Sequence, residues 1–184
     1  MRRYLPLFVG AAVWIALDQW TKVLAVEAFS LTDPKLPAEA HMIRTDVMAV
    51  TESWFNLRLA GNTGAAFSIF GDLPGIARAA IFGVITVVAF VAIVYMWGQT
   101  QLKLQRAGFI LLLGGAIGNA IDRLRLGYVV DFIQWYYKDF VWPTFNIADV
   151  GICVGIGLLF IDAFVNRNVD ERAPQSPPEA EAAG

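Results

Sequence analysis

The chain has 184 residues, of which 57% are hydrophobic, 13% aromatic and only 16% charged. Soluble domains carry about a quarter charged residues, so an ordinary soluble domain is excluded and one small integral membrane domain is expected. A net charge of −2 with no basic block argues against nucleic-acid binding, and one cysteine (Cys153) with one histidine (His41) excludes a disulfide framework, a multi-cysteine metal site and His-pair zinc chemistry.

Four apolar stretches approach the roughly 20 residues that a membrane helix needs. The first covers 5–26, behind Arg2 and Arg3. It resembles a signal peptide in its basic start, but Asp18 and Lys22 interrupt it and no clean A-x-A cleavage site follows. The second covers 76–97 and carries no charge after Arg78. The third, 104–122, is reached if Lys103 and Arg106 extend their charged ends to the interface. The fourth covers 147–165. Lipid offers no backbone hydrogen-bond partners, so helices are required; the alternation of barrel strands is absent.

Four spans put both termini on one side. The turn at 98–106 carries Lys103 and Arg106 and shares that side with Arg2, Arg3, Arg167 and Arg172, which the positive-inside rule makes cytoplasmic. Lys35, Arg44, Arg58, Arg123, Arg125 and Lys138 lie opposite. Two long segments then face outward. In the first, 27–75, a polar part holding Pro34 and Pro37 precedes 47–70, which reads as a small strand pair around the turn signal Gly61-Asn62-Thr63-Gly64. The second, 123–146, is dense in aromatics from Phe132 to Phe145 and reads as an interfacial loop, either a headgroup belt or a lid. The polar, proline-bearing tail 167–184 is expected to be disordered. Residues 1–166 form one membrane-embedded domain.

Ionisable and amide residues in or beside a span are expensive and are functional candidates by default. Asp18 and Lys22 sit four apart near the outer end of span one, a spacing that also suits a plain ion pair. Asn119 and Arg123 repeat it on span three beside Asp122; Asn146 and Asp149 are three apart at the start of span four; Asp131 lies in the apolar run Val129-Val130-Asp131-Phe132-Ile133. Up-down topology brings these positions to one outer surface. Asp162, at the inner end of span four, reads as interfacial. Gly114 and Gly118, and Gly151 and Gly155, have the spacing of close helix packing.

No H-E-x-x-H motif is present. His41 is far in sequence from any promising serine, and Cys153 has no evident base. Carboxylates are the well-supplied acid–base groups. Two close together cannot both ionise cheaply and share a proton, so one activates water while the other protonates a carbonyl. Asp131 and Asp149, each set in apolar sequence, suit this best. Asp122 and Arg123 look more structural, although Arg123 also suits a substrate carbonyl or lipid ester. A transporter would place polar residues near the bilayer midplane, whereas here they gather at one end; a passive scaffold gives no reason for two acids in apolar settings.

Five segments in order, Asp18-Gln19-Trp20-Thr21-Lys22, Asn62-Thr63-Gly64-Ala65-Ala66-Phe67, Gly114 through Arg123, Val129-Val130-Asp131-Phe132 and Phe145-Asn146-Ile147-Ala148-Asp149, resemble the bacterial lipoprotein signal peptidases (signal peptidase II). The polar stretch 31–46 is longer than the family leads one to expect. The resemblance implies a four-helix inner-membrane aspartic endopeptidase with a periplasmic strand cradle and interfacial loop. It would cut prolipoproteins just before the diacylglyceryl-modified cysteine, near the periplasmic surface. Asp131 and Asp149 would be the catalytic pair. Asn62, Gly64, Asn119, Arg123 and Asn146 would line the substrate site, supported by Asp18, Lys22 and Asp122. It further implies no metal or cofactor, a lipid-modified prolipoprotein and membrane lipids as partners, no nucleic acid, a monomer, and inhibition by the cyclic peptide globomycin.

Overall fold

The computed structural model describes residues 2–32, 47–64 and 74–170. His41, the end of the expected strand region (65–70) and the tail from 171 lie outside the described residues. A short 3-10 turn, Arg2–Tyr4, leads into α1 (Leu5–Thr32). Strands β1 (Met48–Ala49) and β2 (Phe55–Asn62) precede α2 (Gly75–Gln99) and α3 (Lys103–Leu126). Strands β3 (Val129–Tyr137) and β4 (Phe140–Val141) then lead to α4 (Ile147–Asp170). All four helices contain a stretch long and apolar enough to cross a bilayer: Arg2–Phe29, Gly75–Gln99, Lys103–Leu126 and Ile147–Val165.

α3 is the central helix, packed against α1, α2 and α4. Its glycines permit this. A Cβ at Gly114 would run into the Trp14 side chain, and one at Gly118 into the Asp18 carboxylate; Gly108 and Gly155 back onto each other's carbonyl oxygens. Close approach of small residues supplies the packing that hydrophobicity cannot supply in lipid. One apolar core, with Leu7, Ala11, Ile93, Trp97, Phe109 and Leu113, fills the end near the α2–α3 turn. A second, with Phe29, Leu59, Val130 and Phe132, joins α1 to the sheet at the opposite end.

The sheet is antiparallel, in the order β1-β2-β3-β4. Two expectations are corrected by it. A hairpin turn between β1 and β2 lies at 50–54, where Thr51 Oγ1 accepts the N–H groups of Trp54 (3.3 Å) and Phe55 (2.9 Å), a hydroxyl-closed turn that carries no Gly-Asn signature; the strand expected after 61–64 lies outside the described residues. The aromatic segment expected as a loop supplies β3 and β4; β3 buries Val129 to Phe132 and exposes Trp135 and Tyr137, so one strand is core at its start and amphipathic surface at its end. Finally, α1 continues past 26 to Thr32, because Phe29 is buried against β2 and β3.

α3 stops at Gly127, whose φ of 80° is the left-handed conformation that glycine adopts freely, with its N–H donating to the Arg123 carbonyl at 3.0 Å. α4 runs to Asp170, so residues 167–170 of the expected disordered tail are helical.

Candidate active site

Lys22 organises the back of the site. Its ammonium meets Asp18 Oδ2 at 2.9 Å and Asp122 Oδ2 at 2.8 Å, and donates to Asn119 Oδ1 at 3.1 Å. Three acceptors match its three donors. The Asp18–Lys22 spacing is therefore an ion pair, as expected, but a buried one with a third member: both residues and Asp122 are all but inaccessible. Each carboxylate also holds a backbone. Asp18 Oδ1 accepts the Ala148 N–H at the start of α4 (2.8 Å), and Asp122 Oδ2 accepts the Val130 N–H at the start of β3 (3.1 Å). One charged cluster thus fixes the two elements that carry Asp131 and Asp149.

Those elements are also joined directly. Phe145 pairs with Ile133 in an isolated bridge, with Phe132 and Ile133 N–H donating to Phe145 O (3.1 and 2.9 Å) and Phe145 N–H to Ile133 O (3.0 Å). The next residue, Asn146, starts α4. Its Oδ1 accepts the Asp149 N–H (3.0 Å), while Asp149 Oδ2 accepts the Asn146 N–H (3.2 Å), a reciprocal capping box. The same Asn146 donates from Nδ2 to Asp131 Oδ1 at 2.6 Å and to Asn119 Oδ1 at 3.2 Å. Asn119 Nδ2 donates to Asp149 Oδ1 at 2.8 Å. Asn146, fully buried, is therefore bonded to both acids.

The front is built from the end of β2. One extra residue between Leu57 and Ala60 shifts the β2–β3 register, so that Ala60 faces Asp131 and Asn62 faces Val129. Asn62 Nδ2 donates to Asp131 Oδ2 (3.0 Å), and Asn62 Oδ1 accepts the Gly64 N–H (3.0 Å). Arg123 Nη2 donates to Gly64 O (3.1 Å) and Nη1 to Asn119 O (3.4 Å), with the guanidinium 4.1 Å from the Phe82 ring centre. Its Nε is buried with no hydrogen-bond partner among the described residues.

Burial pushes the Asp131 carboxyl up to about 7, with the nearby Asp149 charge adding to the effect; the amides of Asn62 and Asn146 and the charge of Lys22 oppose it. Asp131 is 1% exposed, whereas Asp149 is partly open. Asp149 lies in the first turn of α4, where the helix dipole favours an anion, and its carboxylate accepts two N–H groups. Two carboxyls side by side, one of which keeps its proton near neutrality, are an arrangement for proton transfer in both directions.

All the site residues expected from the sequence are gathered here, with Asp18, Lys22 and Asp122 behind the acids. Gln19 went unassigned: its Nε2 donates to Asp122 Oδ1 at 2.9 Å and lies 3.2 Å from Asp18 Oδ2, bracing the cluster. A polar residue beside Asp18 in a span was the available signal. Asp162 is a correction. It is buried, not interfacial, and accepts from Gln105 Nε2 at 2.6 Å, because α3 and α4 close over it. Among the described residues no group of three or more His, Cys, Asp or Glu is placed to hold a metal ion.

The family model for signal peptidase (SPase) II matches residues 10–165. A lipoprotein signal peptidase of Histophilus somni (strain 129Pt) is 37% identical over 168 residues, covering 91% of this chain and 93% of that one. One from Photorhabdus laumondii is 42% identical over 157 residues, covering 84% of each. A solved structure described as a bacterial membrane enzyme, at 2.3 Å resolution, has a TM-score of 0.69 and 27% identity over 92% of this chain and 93% of its own. A second, at 1.9 Å, has a TM-score of 0.64 and 28% identity, covering 85% and 91%. Motifs, four-helix frame and matches agree: the chain belongs to the signal peptidase II family.

Proposed function

We propose that this protein is an aspartic endopeptidase of the bacterial inner membrane that removes the signal peptide from diacylglyceryl-modified prolipoproteins, cutting just before the lipidated cysteine. Family membership supports the peptidase activity and the class of substrate. The observation that carries the aspartic mechanism is Asn146, hydrogen-bonded at once to Asp131 through its side chain and to Asp149 through the capping box.

In this mechanism Asp149 takes a proton from water, and the water oxygen attacks the scissile carbonyl carbon while Asp131 protonates the carbonyl oxygen. The resulting gem-diol collapses as Asp149 returns its proton to the leaving nitrogen and Asp131 recovers its own. Asn62 and Asn146 orient Asp131, and Asn119 orients Asp149. The spare Nε of Arg123 is the donor for a substrate carbonyl beside the scissile bond; a buried unpaired N–H is costly until such a partner arrives. Termini on the cytoplasmic side and the acids near the periplasmic surface match a substrate held in the bilayer by its signal helix and acyl chains. The aromatic rings of Trp54, Trp135 and Trp142 then lie at headgroup depth. The working unit is a monomer that needs no cofactor.

The test is purified full-length protein with a diacylglyceryl-modified precursor and its unmodified counterpart. Wild type should cleave the modified form, and Asp131→Asn or Asp149→Asn should lose roughly 10⁴-fold or more in kcat while remaining folded. Near-normal cleavage by either variant would refute the pair.

A further inference from the structure

We propose that the cleft at the far end of the molecule from the two acids is a second substrate subsite, which takes the polar, cationic N-terminal end of the substrate's signal helix. The inference rests on the peptidase reading above.

α2 and α4 both lean on α3 but make no extended contact with each other. On the other flank of α2 the gap toward α1 is filled by Leu7, Ala11, Ile93 and Trp97 and by the stacked rings of Phe8 and Phe90, 6.4 Å apart. The α2–α4 side is left as a groove open to lipid. Helical periodicity puts Gln105, Leu112, Ala116 and Arg123 on one stripe of α3 along its floor. At the site end it meets Arg123 and the partly open Asp149; Ile156 and Phe160, both exposed, continue the Asp149 face of α4.

At the far end, where α2 turns into α3, lies a cleft of about 390 Å³, polar through Gln99, Thr100, Gln101 and Gln105 and apolar through Met96, Leu102 and Phe109. Gln105 commits Nε2 to the buried Asp162 carboxylate, which leaves Oε1 as an acceptor. Arg106 is held on the wall of this cleft: Nη2 donates to Gln101 Oε1 (2.7 Å) and Thr100 O (3.2 Å), and the guanidinium lies over Trp97, 4.9 Å from the ring centre, so that Gln105 and not Gln101 keeps an acceptor for a ligand. An acceptor backed by a carboxylate suits an ammonium or guanidinium group.

The spacing matches the substrate. Asn119, at the level of the acids, and Gln105 are fourteen residues apart on α3, about 21 Å along the helix. A signal peptide has a basic start and an apolar region of about 7–15 residues, or about 10–22 Å as a helix. A helix cut at the acids whose apolar region is at the long end of that range, about 14 residues, therefore places its basic start at the glutamine cleft, and the groove measures the length of the apolar region.

The experiment uses the full-length protein in lipid nanodiscs and diacylglyceryl-modified precursors with a Lys or a Gln at the N-terminal end, their apolar region near 14 residues or changed by roughly one turn, about four residues. KM should be lowest for the Lys precursor of matching length. Exchanging that Lys for Gln should raise KM about tenfold, the loss of one charge-assisted hydrogen bond, with kcat unchanged. Gln105→Leu should give the same rise and remove the preference for Lys, whereas Gln105→Glu should restore it. Gln99→Leu, at an exposed position, should raise KM without touching the Asp162 bond. Efficient cleavage with KM indifferent to precursor charge, to length and to these variants would overturn the subsite and leave the peptidase reading standing. No cleavage of any modified precursor by wild type would overturn both.

Discussion

Replacing Asp131 with Asn should reverse the sign of its effect on stability across the pH range. The carboxyl moves from an ordinary 3.8 to about 7 in the folded protein, chiefly through burial. That shift, about three pH units, corresponds to about 4 kcal/mol. Because the folded-state value is raised, the stabilisation is whole below the unfolded value and is lost as pH rises through about 7. The Asn variant has no such titration. Its cost is different: the Nδ2 groups of Asn62 and Asn146 both donate to Asp131, and an Asn side chain offers an oxygen to only one of them. An unmatched donor costs about 1–3 kcal/mol. The variant should therefore be less stable than wild type near pH 4 and as stable or more so near about pH 8. The measurement is the difference in unfolding midpoint between the two proteins in one detergent, taken across that range. Curves that run parallel would refute a proton held on Asp131 near neutrality. In the wild type, kcat/KM on a modified precursor should fall as pH rises past about 7, since the proton that Asp131 gives to the substrate is then gone.

Lys22→Met removes the cation from between Asp18 and Asp122 and leaves two buried carboxylates facing each other. A loss of about 3–5 kcal/mol is expected, read as a lowered unfolding midpoint; an unchanged midpoint would show that the cluster does not hold α4 and β3. Arg123→Ala gives up the Gly64 contact and the spare Nε donor. KM should rise about tenfold with the unfolding midpoint near that of wild type, and failure to accumulate folded protein would assign Arg123 to structure instead.

The helices and the convergence of the site were legible because both follow from one-dimensional rules: apolar length marks a span, and up-down topology fixes which span ends meet. The spacing of four between Asp18 and Lys22 correctly marked a pair. That spacing says nothing of a third member, and Asp122 is joined to Lys22 only by the packing of α1 against α3. The spacing of three between Asn146 and Asp149 showed only that both are at the start of a span. The reciprocal cap needs the chain direction at Phe145, which is set by its bridge to β3. β3 itself was hidden for a compositional reason. Its second half has the aromatics of a headgroup belt, and aromatic residues serve a strand and an interface equally well. Asp162 was misread because its position near a span end suits an interfacial carboxylate, while its burial depends on α3 placing Gln105 against it. In each case the missing information is a contact between elements distant in sequence. The same long-range contacts, Phe145 on Ile133 and Lys22 on Asp122, bring Asp131 and Asp149 together from opposite sides of a strand-to-helix connection. Neither acid is positioned by its own neighbours in sequence alone, so a variant that breaks the Phe145 bridge or the Lys22 cluster should separate them while leaving both carboxylates chemically intact.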